Sequence, residues 1–332
     1  MITTSRTFFL LLVLLAVVSI LTAPWLGQQA ISWKTVFEPS GTSPEALIFW
    51  SIRLPRVFSA FLAGAALAIA GAAFQALFRN PLATPFTLGV SSAASLAAAI
   101  HIRLGLSFWL FGLPGICLTS FAGALLSIWA VYWLARIRGG FSTARLLLAG
   151  VAVSFLFSSV ILFIQFTSDA YGAFRLLGRL MGSLSAVGQE TVMALLVVSV
   201  LGIGFLTFLA WELDLLALGE DLAASRGVDL GRVRKQVFFA TCAIEGTIAA
   251  LCGPIGFVGL MVPQMARMMI GTRHRHLLPA SFLLGGSFLL ICDTAARVMA
   301  APAEMPVGII TSLLGAPFFL WLLCRSDEHS LA

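Results

Sequence analysis

Three ionisable residues stand within apolar stretches of this 332-residue sequence, where a charged side chain is costly: Glu245, Asp293 and Arg297. Asp293 and Arg297 are four residues apart, so on a helix they lie on one face and can form an ion pair. Glu245 has no local partner, so it is either protonated or paired across helices. An ion pair here is compatible with a structural role, and a carboxyl group with proton-coupled transport, so both interpretations stay open.

The sequence lacks the motifs of nucleotide-dependent or proteolytic chemistry. A P-loop requires a lysine after a glycine, and neither Lys34 nor Lys235, the two lysines of the chain, follows a glycine. No H-E-x-x-H motif occurs, and the four histidines lie in loops or at the ends of apolar segments, which excludes an intramembrane metalloprotease. The five cysteines stand singly and are interpreted as packing residues. We therefore expect no catalytic residue, no metal site and no cofactor bound by this chain.

The composition is that of a membrane protein. Hydrophobic residues make up 60% of the chain and charged residues 10%, and the mean hydropathy is +1.02. A soluble domain has about a quarter charged residues, so an ordinary soluble enzyme and a disordered chain are excluded. The apolar runs are continuous, which favours spanning helices over barrel strands. Basic loops between spans explain the net charge of +6 better than nucleic-acid binding does.

Ten apolar runs predict an all-α polytopic membrane protein with about ten transmembrane helices. They lie at 7–26, 52–77, 87–104, 109–134, 145–167, 190–211, 236–255, 256–271, 279–299 and 306–324. With the N-terminus in the cytosol, thirteen basic residues fall on the cytosolic side and seven on the outer side, which predicts that both termini are cytoplasmic. The first run could also be a signal peptide cleaved near Ala23, but we expect a retained helix.

Glycines and prolines recur at one constant spacing and predict an internal repeat. Four pairs are separated by 182 residues: Gly64 and Gly246, Gly71 and Gly253, Pro81 and Pro263, Gly89 and Gly271. The two copies begin in the second and seventh predicted spans, which run in opposite directions. An inverted repeat of this kind is typical of transporters built from two halves around a central path.

The inner loop at 212–235 is the one sizeable segment predicted on the cytosolic side, and the whole chain, 1–332, is predicted to be a single transmembrane domain. Within that loop, Leu218, Leu222 and Ser225 or Arg226 follow a helical period, and Gly219 and Gly227 act as helix-breaking residues. A short amphipathic helix here would suit the docking of a soluble partner, although a plain connecting loop is an equally good interpretation.

A series of short motifs occurs along the chain in a characteristic order. They are R-L-P-R at 53–56, G-A-A-L-A-I-A-G at 64–71, Q-A-L-F-R-N-P-L-A-T-P at 75–85, L-G-V-S-S at 88–92, S-T-A-R-L-L-L-A-G at 142–150, M-G-S-L at 181–184, L-A-L-G-E at 216–220, G-F-V-G-L at 256–260, P-V-G-I-I at 306–310 and G-A-P-F-F at 315–319. In this order the motifs resemble the FecCD family, the permease subunits of type II ABC importers for iron-siderophores, haem and vitamin B12.

The resemblance implies the fold, the partners and the location. It implies the type II ABC importer permease fold, with two such subunits, either a homodimer or a pair with a homologous permease, around one central path. It also implies two ATPase subunits that bind ATP, a substrate-binding protein and a bacterial inner membrane. We expect an iron(III)-siderophore as the cargo, with a corrinoid or haem as alternatives. An ion-coupled secondary transporter is the competing class of function.

The resemblance also assigns roles to individual residues. Arg53, Arg56 and Arg297 fall where outer-face arginines receive acidic residues of the binding protein. The cytosolic gates would be formed by Asn80, Leu82, Ser142 and Thr143, and the coupling to the ATPase by Leu218, Gly219, Glu220, Ala223 and Gly227. Two residues depart from the family pattern: Gln264, where histidine is common after Pro263, and Glu245, where an apolar residue is usual.

Overall fold

The computed structural model describes residues 2–27, 31–32, 43–110, 112–136, 143–184, 188–299 and 304–327, and nearly all of them are helical. Ser142, one of the predicted gate residues, lies outside these ranges, and so does the side chain of Thr143. The helices, in chain order, are α1 (Ile2–Thr22), α2 (Pro44–Leu47), α3 (Leu54–Phe78), α4 (Val90–Arg103), α5 (Gly115–Arg136), α6 (Thr143–Phe166), α7 (Ala170–Leu180), α8 (Gln189–Phe208), α9 (Ala210–Leu218), α10 (Glu220–Ser225), α11 (Leu230–Cys252), α12 (Val258–Ile270), α13 (His274–Met299) and α14 (Val307–Asp327).

Three short elements complete the described fold, and one of them is a 3₁₀-helical turn, Pro85–Leu88, just before α4. A π-helical turn, Ile48–Arg53, joins α2 to α3 without a break. The strands β1 (Trp109–Leu110) and β2 (Leu113–Pro114) form an antiparallel hairpin between α4 and α5. The fourth predicted span therefore starts too early, because 109–114 forms the hairpin and α5 begins at Gly115.

The prediction of about ten spans is confirmed. Each of the ten apolar runs coincides with one helix, namely α1, α3, α4, α5, α6, α8, α11, α12, α13 and α14. Within the described ranges, six helices are both long and apolar enough to cross a membrane, and α1, α12 and α14 are shorter apolar helices. The 14 residues of α4 rise about 21 Å, less than the thickness of a hydrocarbon core.

The centre of the bundle is α3, whose residues are almost all buried. Small side chains let other helices come close to it, as in other membrane helix pairs. A Cβ atom on Gly64 would lie 2.3 Å from the carbonyl oxygen of Gly285 in α13, and one on Gly71 would lie 1.7 Å from that of Gly259 in α12. At both positions only glycine allows the observed backbone contact.

Contacts along α3 establish the direction of its neighbours. Arg56 near the start of α3 binds Asp293 near the end of α13, so these two helices are antiparallel. At the other end, Arg79 directly after α3 and Arg234 near the start of α11 both bind Glu220. We call these two places the Arg56 end and the Glu220 end of the bundle. Because α3 ends where α11 begins, the two helices run in opposite directions, as the predicted repeat requires.

The predicted register of the repeat, however, is wrong. Gly71 lies inside α3 whereas Gly253 terminates α11, and Pro81 lies in a turn whereas Pro263 lies inside α12. Glycines and prolines recur at that spacing for different reasons, some for close helix contacts and some for chain breaks.

The halves instead share a helix–break–helix pattern. Arg79 (φ 47°) ends α3 and Gly89 (φ 81°) precedes α4, while Gly253 (φ 76°) ends α11 and Phe257 (φ 67°) precedes α12. In each half, therefore, residues with positive φ stand at both sides of an irregular segment.

Candidate functional site

A buried cluster of charges lies at the Arg56 end. Arg56 Nε donates to Oδ1 and Oδ2 of Asp293, both at 3.1 Å, and Arg56 Nη2 donates to Oδ1 at 3.0 Å. The predicted pair within α13 is also present: Arg297 Nε lies 3.3 Å from Asp293 Oδ2, an ion pair without hydrogen-bond geometry. One buried carboxylate is thus shared by two arginines on different helices.

The same cluster also binds the residues that follow α1 and a residue that precedes α14. Arg53 Nη1 donates to the Pro24 carbonyl at 3.0 Å, and Arg297 Nη2 donates to the Ala23 carbonyl at 3.4 Å. Arg56 Nη1 donates to Oε2 of the exposed Glu304 at 2.9 Å. Among the described residues of this cluster, three arginines accompany two carboxylates, an excess of one positive charge.

The structure places the three predicted docking arginines together at this end of the bundle. Arg53, Arg56 and Arg297 are all buried, at 5–6% exposure, and each already has hydrogen-bond partners in the chain. A carboxylate from another protein would have to reach below the surface or displace one of these contacts. Because the three arginines are buried and already bonded within the chain, their docking role stays a prediction.

A large cavity of about 930 Å³ lies between α4, α6, α11, α12 and α14. The two irregular segments meet it, through Thr84, Phe86 and Thr87 on one side and 254–257 on the other. Irregular backbone at membrane depth is stable where it lines a cavity or is buried in protein. The chain breaks at Arg79–Gly89 and Gly253–Phe257 therefore shape the cavity wall.

The cavity wall is mostly apolar, with scattered hydrogen-bonding groups and one carboxyl group, that of Glu245. The other polar side chains that line it are Thr84, Thr87, Ser91, Ser92, Ser95, Ser158, Gln165 and Ser312. Ser91 Oγ donates to Glu245 Oε1 at 2.5 Å and so joins α4 to α11. The sequence predicted Glu245 as a functional candidate but could not identify Ser91, which is 154 residues away in the chain.

The short helix predicted in the inner loop is present as α10, between two glycines with positive φ. Gly219 (φ 141°) precedes it and Gly227 (φ 81°) follows it. Ala223 is fully buried, whereas Leu218 and Leu222 are exposed. Leu222 in α10 and Leu218 at the end of α9 thus present apolar side chains outward at the Glu220 end.

Glu220 fixes this helix to the bundle. Its Oε1 lies 2.5 Å from Arg234 Nη2 in α11 and 3.5 Å from Arg79 Nη2 at the end of α3. The hydrogen bond from Arg234, with the charges of both arginines, holds the pKa of Glu220 below its usual range. Nearby, Asp214 in α9 accepts hydrogen bonds from the backbone N–H of His274 at 2.7 Å and from its Nδ1 at 2.6 Å, which ties α9 to the start of α13.

A second polar network holds α12 to α3 at the same end. Arg267 Nη1 donates to Gln75 Oε1 at 2.5 Å, and Gln264 Nε2 donates to the same oxygen at 3.4 Å and to the Pro81 carbonyl at 3.3 Å. Gln264 therefore contacts the turn that follows α3. This network could not be predicted from the sequence, because its members are 183–192 residues apart in the chain.

The predicted gate residues are only partly described. Asn80 and Leu82 lie in the turn after α3, where Asn80 Oδ1 accepts a hydrogen bond from the Leu82 N–H at 2.9 Å and the Leu82 side chain is exposed. Thr143 is the first residue of α6. With Ser142 outside the described ranges, their gating role stays a prediction.

Comparison with known proteins places the chain among transport proteins. The profile of the FecCD transport family matches residues 11–325. The chain is 39% identical over 323 residues to the hemin transport system permease protein HmuU of Yersinia pestis, covering 96% of this chain and 95% of that one. It is 38% identical over 331 residues to the vitamin B12 import system permease protein BtuC of Klebsiella pneumoniae, covering 97% and 95%. A solved metal-chelate type ABC transporter in an inward-facing conformation superposes with a TM-score of 0.83 at 30% identity, covering 97% of this chain and 99% of that one.

Proposed function

The chain belongs to the FecCD transport family, and we propose that it is the membrane permease subunit through which an ABC importer moves an iron(III)-siderophore into the cytoplasm. The family match over residues 11–325 carries the proposal. The chain is a permease of the metal-chelate, haem and vitamin B12 class, and a transport component rather than an enzyme. ATP would be bound and hydrolysed by separate ATPase subunits. The chain, 1–332, would form one transmembrane domain.

A second permease copy, or a homologous permease, would complete the path. The exposed faces of α6 and α14 carry large apolar side chains, among them Leu162, Phe163 and Leu313. Leu162 and Leu313 also line the cavity, so a second subunit on these faces would enclose it. Continuous apolar surface next to a cavity supports a subunit interface, although lipid would also cover it.

Two ATPase subunits would dock at the Glu220 end, on α10. The exposed Leu218 and Leu222 supply apolar contacts, while Gly219 and Gly227 set the angle of the helix. Because Glu220 binds Arg79 and Arg234, a push on α10 would reach the ends of both α3 and α11. The gate residues Asn80 and Leu82 follow directly after Arg79, and Ser142 and Thr143 would complete the gate.

The substrate-binding protein would dock at the Arg56 end. The net positive charge of the cluster around Arg53, Arg56 and Arg297 favours an acidic partner surface through its field even where the guanidinium groups are buried. This orientation puts the Glu220 end and both termini in the cytoplasm, in a multi-pass protein of the bacterial inner membrane.

Haem and corrinoid cargoes are the alternatives, because relatives at 39% and 38% identity are named for hemin and vitamin B12 transport. Uptake of labelled ferric siderophore, cobalamin and hemin should be compared in cells that lack this chain and in cells where it is restored. If only siderophore uptake is lost in the deleted cells, the result supports the proposal. If only cobalamin or hemin uptake is lost, that compound is the cargo and the siderophore assignment is wrong. Uptake that survives deletion of the partner ATPase contradicts the ABC mechanism and favours an ion-coupled transporter.

A further inference from the structure

Glu245 is the single acidic or basic residue among those that line the cavity. It lies in the middle of α11, and its side chain is 4% exposed. Within the described ranges, its hydrogen bond is the one from Ser91 Oγ to Oε1. A molecule inside the cavity can therefore approach the carboxyl group, which α4 and α11 hold in a fixed position.

The cavity wall has no basic side chain among its lining residues to balance a negatively charged cargo. Arg179 in α7 donates to the carbonyl groups of Ala250 and Leu251 at the end of α11. Arg56 and Arg297 are paired with Asp293 at the Arg56 end. A polyanion would thus enter a largely apolar space without a countercharge, which is costly in a membrane protein.

A cargo with amide or ammonium groups can form a hydrogen bond with Glu245 in either protonation state, whereas only the carboxylate form disfavours an anionic cargo. The carboxylate attracts an ammonium group and accepts a hydrogen bond from an amide N–H, and the protonated acid donates a hydrogen bond to a carbonyl oxygen. The carboxylate repels a second carboxylate or a catecholate. Charge complementarity of this sort contributes more to specificity than to affinity.

We propose that Glu245 determines cargo specificity, by contacting an ammonium or amide group of a neutral or cationic metal chelate and disfavouring polyanionic chelates. The proposal rests on the proposed function, since it takes the cavity to be part of the transport path. Trishydroxamate chelates and corrinoids fit this requirement. Triscatecholate chelates, which are polyanions, and haem, with its two propionate groups, do not.

The test keeps one chelate and changes its charge. Ferrioxamine B carries an ammonium group on a neutral iron(III)-trishydroxamate core; acetylation of the amine gives a neutral chelate and succinylation an anionic one. Binding of the three, with radiolabelled iron, is measured by equilibrium dialysis against the permease–ATPase complex in nanodiscs. The binding protein is omitted because its own selectivity would mask that of the permease. We expect the affinity to fall from cationic to neutral to anionic, by about tenfold overall.

Variants of Glu245 test whether this one side chain produces the order of the three affinities. Glu245→Gln keeps the shape and a hydrogen-bond acceptor for Ser91, and should bring the three affinities within about twofold of each other. Glu245→Lys should reverse the order. Glu190→Gln, which removes an exposed carboxylate at the start of α8, is the matched control and should keep the wild-type order.

Three results would overturn the proposal: equal affinities in the wild type, an unchanged order in Glu245→Gln, or no binding of any of the three chelates. The proposed function is measured separately, as ATP-dependent uptake of labelled ferric siderophore, cobalamin or hemin after the binding protein is restored. Absence of that uptake in the wild type defeats the proposed function, whereas uptake without a charge order defeats only the role of Glu245.

Discussion

Arg56 and Asp293, which are 237 residues apart in the chain, form a buried bidentate salt bridge between the start of α3 and the end of α13. Arg297 adds a second positive charge to the same carboxylate. Removing one member of a buried pair leaves its partner charged and unsolvated, whereas replacing both by apolar groups can be nearly neutral. The pair therefore joins the two helices at a point where single changes are costly.

Asp293→Asn is expected to lower the free energy of unfolding by about 3–5 kcal/mol, because Arg56 and Arg297 would lose their buried countercharge. The measurement is thermal or denaturant unfolding of the purified protein in detergent. The triple variant Arg56→Met, Asp293→Leu and Arg297→Met, which removes all three buried charges, should recover most of the loss. The exposed Arg103→Ala at the end of α4 is the control and should change stability by no more than about 0.5 kcal/mol. A stable Asp293→Asn variant would show that the pair has no such role.

Gly71→Ala is expected to prevent correct packing of α3, because the added Cβ would lie 1.7 Å from the Gly259 carbonyl oxygen. The yield of monodisperse protein should fall at least severalfold, as measured by fluorescence-detected size-exclusion chromatography. Gly204→Ala in α8 has nothing within 4 Å of the added atom and serves as the matched helical control. We expect it to express as well as the wild type, since alanine is the better helix former. Equal yields of the two variants would contradict the close contact.

Arg53→Glu is expected to weaken docking of the binding protein, because it changes the local charge by two units at the Arg56 end. Affinity for the permease–ATPase complex should fall about tenfold at low salt and by less at high salt, where the charges are screened. Surface plasmon resonance on nanodiscs measures this, with Arg103→Glu as a control of equal charge change. Unchanged affinity and unchanged uptake would remove Arg53 from the docking site.

Glu220→Gln is expected to loosen α10 and to reduce transport per ATP hydrolysed severalfold, since the charge that binds Arg79 and Arg234 is lost. Uptake and hydrolysis measured together in proteoliposomes report this ratio. Asp221→Gln, in the same turn of α10, is the control. A variant that keeps the wild-type ratio would exclude Glu220 from coupling.

The contact of Glu220 with Arg79 and Arg234 should depend on pH, and the direction follows from the lowered pKa of Glu220. A carboxyl group with a lowered pKa in the folded protein stabilises the structure above its unfolded pKa of about 4.3, and this stabilisation is lost as the pH falls through the folded value. Retention of the ATPase on the permease should therefore be constant from about pH 8 to pH 5 and should decrease only in stronger acid. Co-elution in size-exclusion chromatography measures it, and a decrease already near neutral pH would contradict the assignment.

Local patterns in the sequence predicted the helices, because a helix is determined largely by residues that are neighbours in the chain. Continuous apolar runs located the ten helices, and the spacing of Asp293 and Arg297 identified a pair on one helix face. The inner loop predicted α10 because Gly219 and Gly227 stand on either side of a helical period. The turn that pairs Trp109 with Pro114 was not recognised, since its residues are as apolar as those of the following helix.

Contacts between distant segments could not be predicted in the same way. Nothing in the sequence relates Arg56 to Asp293, Ser91 to Glu245, or Gln75 to Arg267, because the fold alone brings them together. The repeat register was wrong for a related reason. The sequence does not distinguish a glycine at a close helix contact, such as Gly71, from a glycine with positive φ, such as Gly253. Only the backbone conformation separates the two.

The burial of α3 has a consequence for how such a chain can diverge. A helix enclosed by other helices has almost no face on which substitutions are free, whereas large apolar side chains on one face of α8, such as Met193 and Val200, are exposed. A deep mutational scan selected for folded protein should therefore find α3 the least tolerant segment, with Gly64 and Gly71 accepting almost no replacement.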